Sequence, residues 1–309
     1  MTIFDRGLVR RHRARAARLG RRPRLLTEVA ERLADRLDDV NRRFPLALDL
    51  GCRDGALARG LKGRGGVETL VQADLAPEMA QLAAGTGQPA LAADEEFLPF
   101  GAETFDLVLS CLSLHWVNDL PGALLQIRHA LRPDGLFLAA LLGGETLKEL
   151  RDALLQAELE VEGGGSPRVS PFADLRDLGG LLQRAGFALP VADLDSITLD
   201  YAQPFDLMAD LRALGETNAV VTRRSSWSRR ETLLRAAALY AQQQGRADGR
   251  IPATFQVLYL TGWAPHESQQ QPLRPGSAGT RLAEALETEE HASGDKADPR
   301  GPAKPETRG

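Results

Sequence analysis

Carboxylates stand at the ends of three successive apolar runs early in the chain. Asp49 lies near the end of "FPLALDL", Asp74 with Leu75 closes "TLVQADL", and Asp94 with Glu95 follows "PALAA". Between the first two runs, "LDLGCRDG" places Gly51, Cys52 and Gly55 in a tight turn. An acid at the end of a second strand can accept hydrogen bonds from both ribose hydroxyls, and one after a third strand can meet an adenine amino group. Glycines in the turn let backbone approach a ligand closely and allow positive φ. A ring of acids suits a cationic ligand and is a poor neighbour for a pyrophosphate, so S-adenosylmethionine, with its sulfonium, fits better than NAD. Each acid alone can equally cap the helix that follows it. Their occurrence at successive strand ends favours a pocket.

A second candidate group, "SLHWVND", follows the run "FDLVLSCLSL" and contains His115, Trp116 and Asp119. His115 can handle a proton, and Trp116 can line a substrate or face a sulfonium. Trp116 can also simply pack the core, and Asp119 can cap a helix beginning at Pro121. The histidines are His12, His115, His129, His266 and His291, and none forms a short His-x-Asp pair, so no metal site is expected. Methyl transfer needs none, because a sulfonium already activates its methyl and alignment does most of the rest. His266 in "PHESQ" and Glu216 in "GETN" gain no chemical role from their spacing.

These residues need a scaffold that brings strand ends together. The short apolar runs continue with "GLFLAALLG", "ADLDSITLDY" and "PATFQVLYLTGW", and most are separated by helical patterns. Strands alternating with helices argue for parallel pairing through right-handed crossovers, hence an α/β doubly wound, mostly parallel seven-stranded Rossmann-like sheet. Residues 1–43 read as a basic N-terminal helical segment, including a helix from Leu25 to Val40 with Thr27 as its cap. Residues 44–278 read as the catalytic domain, with a lid or insertion at about 160–172, where "VEGGGSPRVSPF" enforces a loop, and a helical region at about 205–245. From 279 to 309 the chain is polar and proline-rich and reads as a disordered tail.

Composition narrows the functional classes. The 309 residues are 43% hydrophobic and 26% charged, which fits one main core in a soluble protein. A net charge of −4 gives no global pull towards nucleic acid. With only Cys52 and Cys111, a disulfide framework is excluded by count, which fits a reducing compartment. No apolar run approaches the roughly 20 residues that cross a bilayer. The arginine-rich start, "MTIFDRGLVRRHRARAARLGRRPR", shares its composition with mitochondrial targeting peptides. It reads equally as a basic helix lying on the domain or meeting an acidic partner.

"LDLGCRDG", "ADLAPEM" and "LRPDGLF" resemble class I S-adenosylmethionine-dependent methyltransferases in general. "AADEEFLPF", "SLHWVNDLPGAL", "SPRVSPFADLRDLGGLLQRAGF", "LRALGETNA" and "PATFQVLYLTGWAPHESQ" are more specific. Together they are similar to the NADH dehydrogenase (complex I) assembly factor five family, over roughly residues 3–278. The resemblance implies assembly of complex I through hydroxylation of an arginine in the quinone-site iron–sulfur subunit. It implies no nucleic-acid partner and, at most, peripheral contact with the membrane during assembly. Because "IFDRGLVRRHRARAA" resembles the family's mature start, its arginines are expected in the folded protein. A bacterial cytoplasmic location is the expectation, or the mitochondrial matrix side in a eukaryote. A less specific resemblance is to malonyl-carrier-protein O-methyltransferases, and a non-catalytic assembly chaperone is a further alternative. The family usually has glycine where this chain has Arg53. That arginine is expected to strain the turn by roughly 1 to 2 kcal/mol if its φ is positive. Its side chain is expected to turn to a methionine carboxylate, to point to solvent or to pair with Asp54.

Overall fold

The computed structural model describes residues 2–270 and 279–288. The chain divides into two compact units, Met1–Ser268 and Gln269–Gly309. The first is built on a seven-stranded sheet in the order β3-β2-β1-β4-β5-β7-β6. Its strands are β1 (Leu46–Leu50), β2 (Thr69–Asp74), β3 (Ala90–Ala92), β4 (Phe105–Cys111), β5 (Leu131–Leu142), β6 (Ala188–Tyr201) and β7 (Ile251–Trp263). β1 to β5 pair in parallel, while β7 runs antiparallel to both β5 and β6.

Side chains alternate across the strands, so each sheet face acquires its own core. In β5, Leu136, Leu138, Ala140 and Leu142 enter a cluster with α2 (Arg24–Asp35), α6 (Lys148–Glu162) and α9 (Arg230–Gln244). Phe137, Ala139 and Leu141 enter the opposite cluster, with α5 (Leu120–Ala130) and α7 (Leu175–Arg184). Burial on both faces explains why these strands read as continuous apolar runs. The sheet edge where β1, β2 and β4 end is thereby fixed against two cores.

α1 (Arg6–Leu19) is capped by Asp5, whose side chain accepts from the Leu8 N–H, and ends at Gly20 in the left-handed region. α2 differs from expectation: it starts one residue earlier, stops at Asp35 and has Pro23 at its N-cap. Thr27 lies inside the helix, its Oγ1 3.5 Å from the Pro23 carbonyl, so it caps nothing. The short helices α3 (Ala56–Leu61) and α4 (Pro77–Ala84) follow β1 and β2.

Residues 163–174 are irregular. Ser166 and Arg168 bond back to Glu158 on α6, and Pro167 accepts from Asn218 Nδ2 at 2.7 Å. α8 (Pro204–Leu214) and α9 supply the helices expected at about 205–245, with a loop between them. In the second unit, residues 279–288 contain one helical turn, α10 (Leu282–Ala285). The rest of the expected tail, 289–309, lies outside the described residues.

Candidate functional site

The turn after β1 is tied to β2: Gly51 and Cys52 both donate their N–H to the Ala73 carbonyl, at 2.7 and 3.0 Å. Gly51 has φ +77°, and a Cβ there would fall 2.1 Å from Ser113 Oγ, so this position requires glycine twice over. Gly55 also has positive φ and opens α3. Arg53 takes φ +53°, the strained region expected of it. Its side chain does neither of two things expected of it. It does not reach solvent, and Asp54 pairs instead with Arg59 at 2.7 Å. The guanidinium is buried against the carbonyls of Leu214 and Leu112 and against Glu216 Oε1, the last at 2.5 Å.

The four acids converge, and α1 lies on them. Asp74 accepts from the backbone N–H groups of Arg53 at 3.1 Å and Ala76 at 2.8 Å. Asp94 accepts from the Glu96 N–H at 2.9 Å and from Arg6. Glu95, fully buried, accepts from Arg13 at 2.6 Å, from Ser113 Oγ at 2.5 Å and from Arg6. Burial alone would raise the Glu95 pKa, but Arg13 and Arg6 overcome it and hold the carboxyl well below the usual range. Asp49 is the exception: both its oxygens are buried without a partner, and burial, then Asp74 and Asp54, push its pKa well up. Cys52 is buried, and burial, then Asp74 and Asp49, push its thiol up as well, which makes it a poor nucleophile. Leu75 packs with Phe4, Val9 and Trp116.

A second carboxylate organises the segment after β4. Ser113 leads into a 3-10 turn, Leu114–Trp116. His115 Nε2 lies 3.0 Å from Glu216 Oε2, and Trp116 Nε1 donates to the same oxygen at 2.7 Å. Arg53 holds the other oxygen, so Glu216 collects two side chains from one loop and one from the turn. Burial would raise its pKa, yet His115 and Arg53 hold it at about 2. His115 Nδ1 is buried without a partner. Trp116 is buried, edge-on to Phe4 with ring centroids 5.2 Å apart. Asp119 stands apart from this group: it is the N-cap of α5, accepting from the Gly122 N–H at 2.9 Å.

Glu216 had no role in the sequence reading, and neither did Arg6 or Arg13 individually. Glu216 lies 101 residues from His115 and 163 from Arg53, separations that no local pattern encodes. The only available signal for the arginines was the density of positive charge in a segment expected to meet acids. A cavity of about 320 Å³, with Leu150, Leu154, Met208, Leu211 and Arg212 in its wall, reaches Glu216. Among the described residues, no group of three or more His, Cys, Asp or Glu is placed to hold a metal.

The donor set fits S-adenosylmethionine in kind. The ring already accepts two guanidinium groups, and Asp49 offers a buried carboxyl group with neither oxygen partnered. The methyltransferase-domain family profile matches residues 48–139. The chain is 46% identical over 289 residues to "Arginine-hydroxylase NDUFAF5, mitochondrial" of Danio rerio, covering 92% of this chain and 89% of that protein. It is 40% identical over 266 residues to "Malonyl-[acyl-carrier protein] O-methyltransferase" of Halorhodospira halophila, covering 84% and 88%. Among solved structures, the YcgJ protein of Bacillus subtilis has a TM-score of 0.53 at 15% identity, over 76% of this chain and 98% of that one, a likeness of fold.

Proposed function

Because the chain belongs to the NADH dehydrogenase (complex I) assembly factor five family, we propose that it hydroxylates an arginine of the quinone-site iron–sulfur subunit during complex I assembly. S-adenosylmethionine is its proposed cofactor. Asp74 and Leu75 would hold the ribose side, Asp94 and Glu95 the adenine side, and Asp49, Gly51, Cys52 and Gly55 the methionine side. Bound there, the cofactor supplies an activated methyl on a cationic sulfur. Hydroxylation itself replaces a hydrogen of the arginine by hydroxyl, and so draws on an external oxidant such as dioxygen with a two-electron reductant.

Glu216 carries the substrate half of this reading. It is a carboxylate kept ionised in a buried site, at the end of a cavity walled by leucines and Met208 together with Arg168, Arg212, Arg223 and Arg224. The leucines and Met208 suit the apolar stem of an arginine, and Arg168, Arg223 and Arg224 of the wall are already paired with Glu158, Asp5 and Glu162. His115, fixed by Glu216, is the group available to hold or move a proton there. Asp119 is left out of the proposed centre because its carboxylate caps α5.

The deciding measurement is the mass of that iron–sulfur subunit purified from cells with and without this protein. One added oxygen on an arginine, seen only with the protein, is the expected result. One added methylene would make it a protein methyltransferase, and an unchanged subunit would point to carrier-protein methylation or to a chaperone.

Work on a complex I subunit also brings the protein to a membrane surface. No helix among the described residues is long and apolar enough to cross one. Peripheral contact suits the loop between α8 and α9, where Trp227 is 96% exposed and is followed by the exposed Arg229 and Arg230, while Arg223 and Arg224 are engaged with Asp5 and Glu162. Indole rings settle at bilayer interfaces, and each nearby arginine adds about 1 kcal/mol of attraction to anionic lipid. Vesicles rich in phosphatidylglycerol should therefore sediment the protein and blue-shift its tryptophan emission. Neutral vesicles, or the variant Trp227→Ser, should do neither.

A further inference from the structure

The cleft between Asp74, Glu95 and Gly51 is filled by a side chain of the protein itself. Arg13, with no exposed surface, donates to Glu95 Oε1 at 2.6 Å and to Ser113 Oγ at 2.7 Å, and stands 3.5 Å from Asp74 Oδ1. Ser113 Oγ in turn occupies the space in front of Gly51. The three groups therefore seal the approach to the turn, and they do so with a cation. We propose that α1 is an internal competitor for the cofactor: Arg13 fills the ribose and adenine side of the acid ring until the ligand's own donors replace it, and the ligand enters only as this guanidinium leaves.

The inference rests on the S-adenosylmethionine reading and deepens it. Three observations separate a competitor from an ordinary buried salt bridge. The fit is incomplete, because Arg13 Nε is buried without a partner, and so are both oxygens of nearby Asp49. The apolar attachment is divided between two small clusters, Ala14, Ala16 and Ala17 with Ala76 and Met79, and Val9 with Phe4, Trp116, Ala219 and Val220, both separate from the two sheet cores. The helix also has a natural pivot, with Gly20 at φ +60° and nothing within 4 Å of its missing Cβ, followed by Pro23 as the cap of α2.

Exchange gives Asp74 and Glu95 the hydroxyl and amino donors of ribose and adenine in place of the guanidinium, whereas simple departure of Arg13 would leave both buried carboxylates without that partner. The far end of α1 extends the consequence. His12 Nδ1 bonds to the Thr217 carbonyl at 2.9 Å, Arg15 to Thr217 Oγ1 at 2.8 Å, and the Asp5 N–H to Ala219 at 2.8 Å. Movement of α1 therefore also loosens the segment that carries Glu216. Cofactor entry and opening of the substrate side become one event.

The test uses the full-length protein and two readouts other than activity. Calorimetry gives the affinity of wild type and Arg13→Gln for S-adenosylmethionine. A competitor that leaves the cleft open in about a tenth of the molecules or fewer lowers the apparent affinity by that fraction, so the variant should bind at least about tenfold more tightly. Hydrogen exchange by mass spectrometry on wild type should show residues 6–19 exchanging faster when the cofactor is added. Weaker or unchanged binding by the variant, or slower or unchanged exchange in α1, would overturn the competitor while leaving the cofactor assignment standing. If neither protein binds S-adenosylmethionine, the cofactor assignment itself fails and this inference falls with it.

Discussion

The acid ring at the ends of β1, β2 and β3 and the Glu216 hub beside the end of β4 both set a buried carboxylate against a buried arginine. In the ring, the arginines arrive on α1, a helix held through two small apolar clusters outside the sheet cores. At the hub, the arginine belongs to the turn itself, and Arg53 is locked by two backbone carbonyls as well as by Glu216. One pair can be dismantled by lifting a helix. The other is anchored on the arginine side, where Arg53 keeps the Leu112 and Leu214 carbonyls whatever Glu216 does.

The largest effect should come from Glu216→Gln, which strands the Arg53 guanidinium where water does not reach. Loss of one partner of a buried pair costs about 3 to 5 kcal/mol. Glu95→Gln should cost less, about 2 kcal/mol, because α1 can lift and hydrate Arg13 and Arg6. Urea unfolding of both variants checks the contrast, and equal losses would erase the distinction between a fixed and a releasable pair.

Acid should separate the groups next. Glu216 is lowered from 4.5 to about 2, so its stabilising contribution, about 3 kcal/mol, is complete above pH 4.5 and drains away as the pH falls towards 2. Glu95 is also lowered and acts in the same direction. His12 is lowered from 6.5 to about 4 by burial, then by Arg15 and Arg223. It stays neutral in the fold, so its contribution is present above pH 6.5 and is lost between 6.5 and 4. Chemical unfolding across pH should show these two stages, and His12→Gln should remove only the first. The smallest effect belongs to Asp119→Ala, which removes a helix cap at about 1 kcal/mol. Modification of the substrate subunit should persist in that variant, and its loss would return Asp119 to the reaction centre.

The same contrast governs how much could be read beforehand. Asp49, Asp74, Asp94 and Glu95 were legible because a doubly wound sheet places the ends of successive strands at one edge, so order in sequence becomes neighbourhood in space. The apolar runs gave the seven strands for the same local reason. Glu216 was illegible, since its partners come from a turn and a loop 100 to 163 residues away. The destination of Arg53 was missed with it, because the guanidinium could not be placed without its acceptor. Thr27 shows the local failure: Pro23 takes the cap instead, as its missing N–H costs nothing at a helix start.

The placement of the two cysteines has a practical outcome. Cys52 sits in the turn after β1 and Cys111 ends β4, both buried, with thiols that burial makes reluctant to ionise. In the folded state neither offers a ready thiolate to an alkylating reagent. Each therefore serves as a built-in stopwatch: the time at which Cys52 becomes labelled records the opening of the glycine turn, and the time for Cys111 records the breaching of the central sheet.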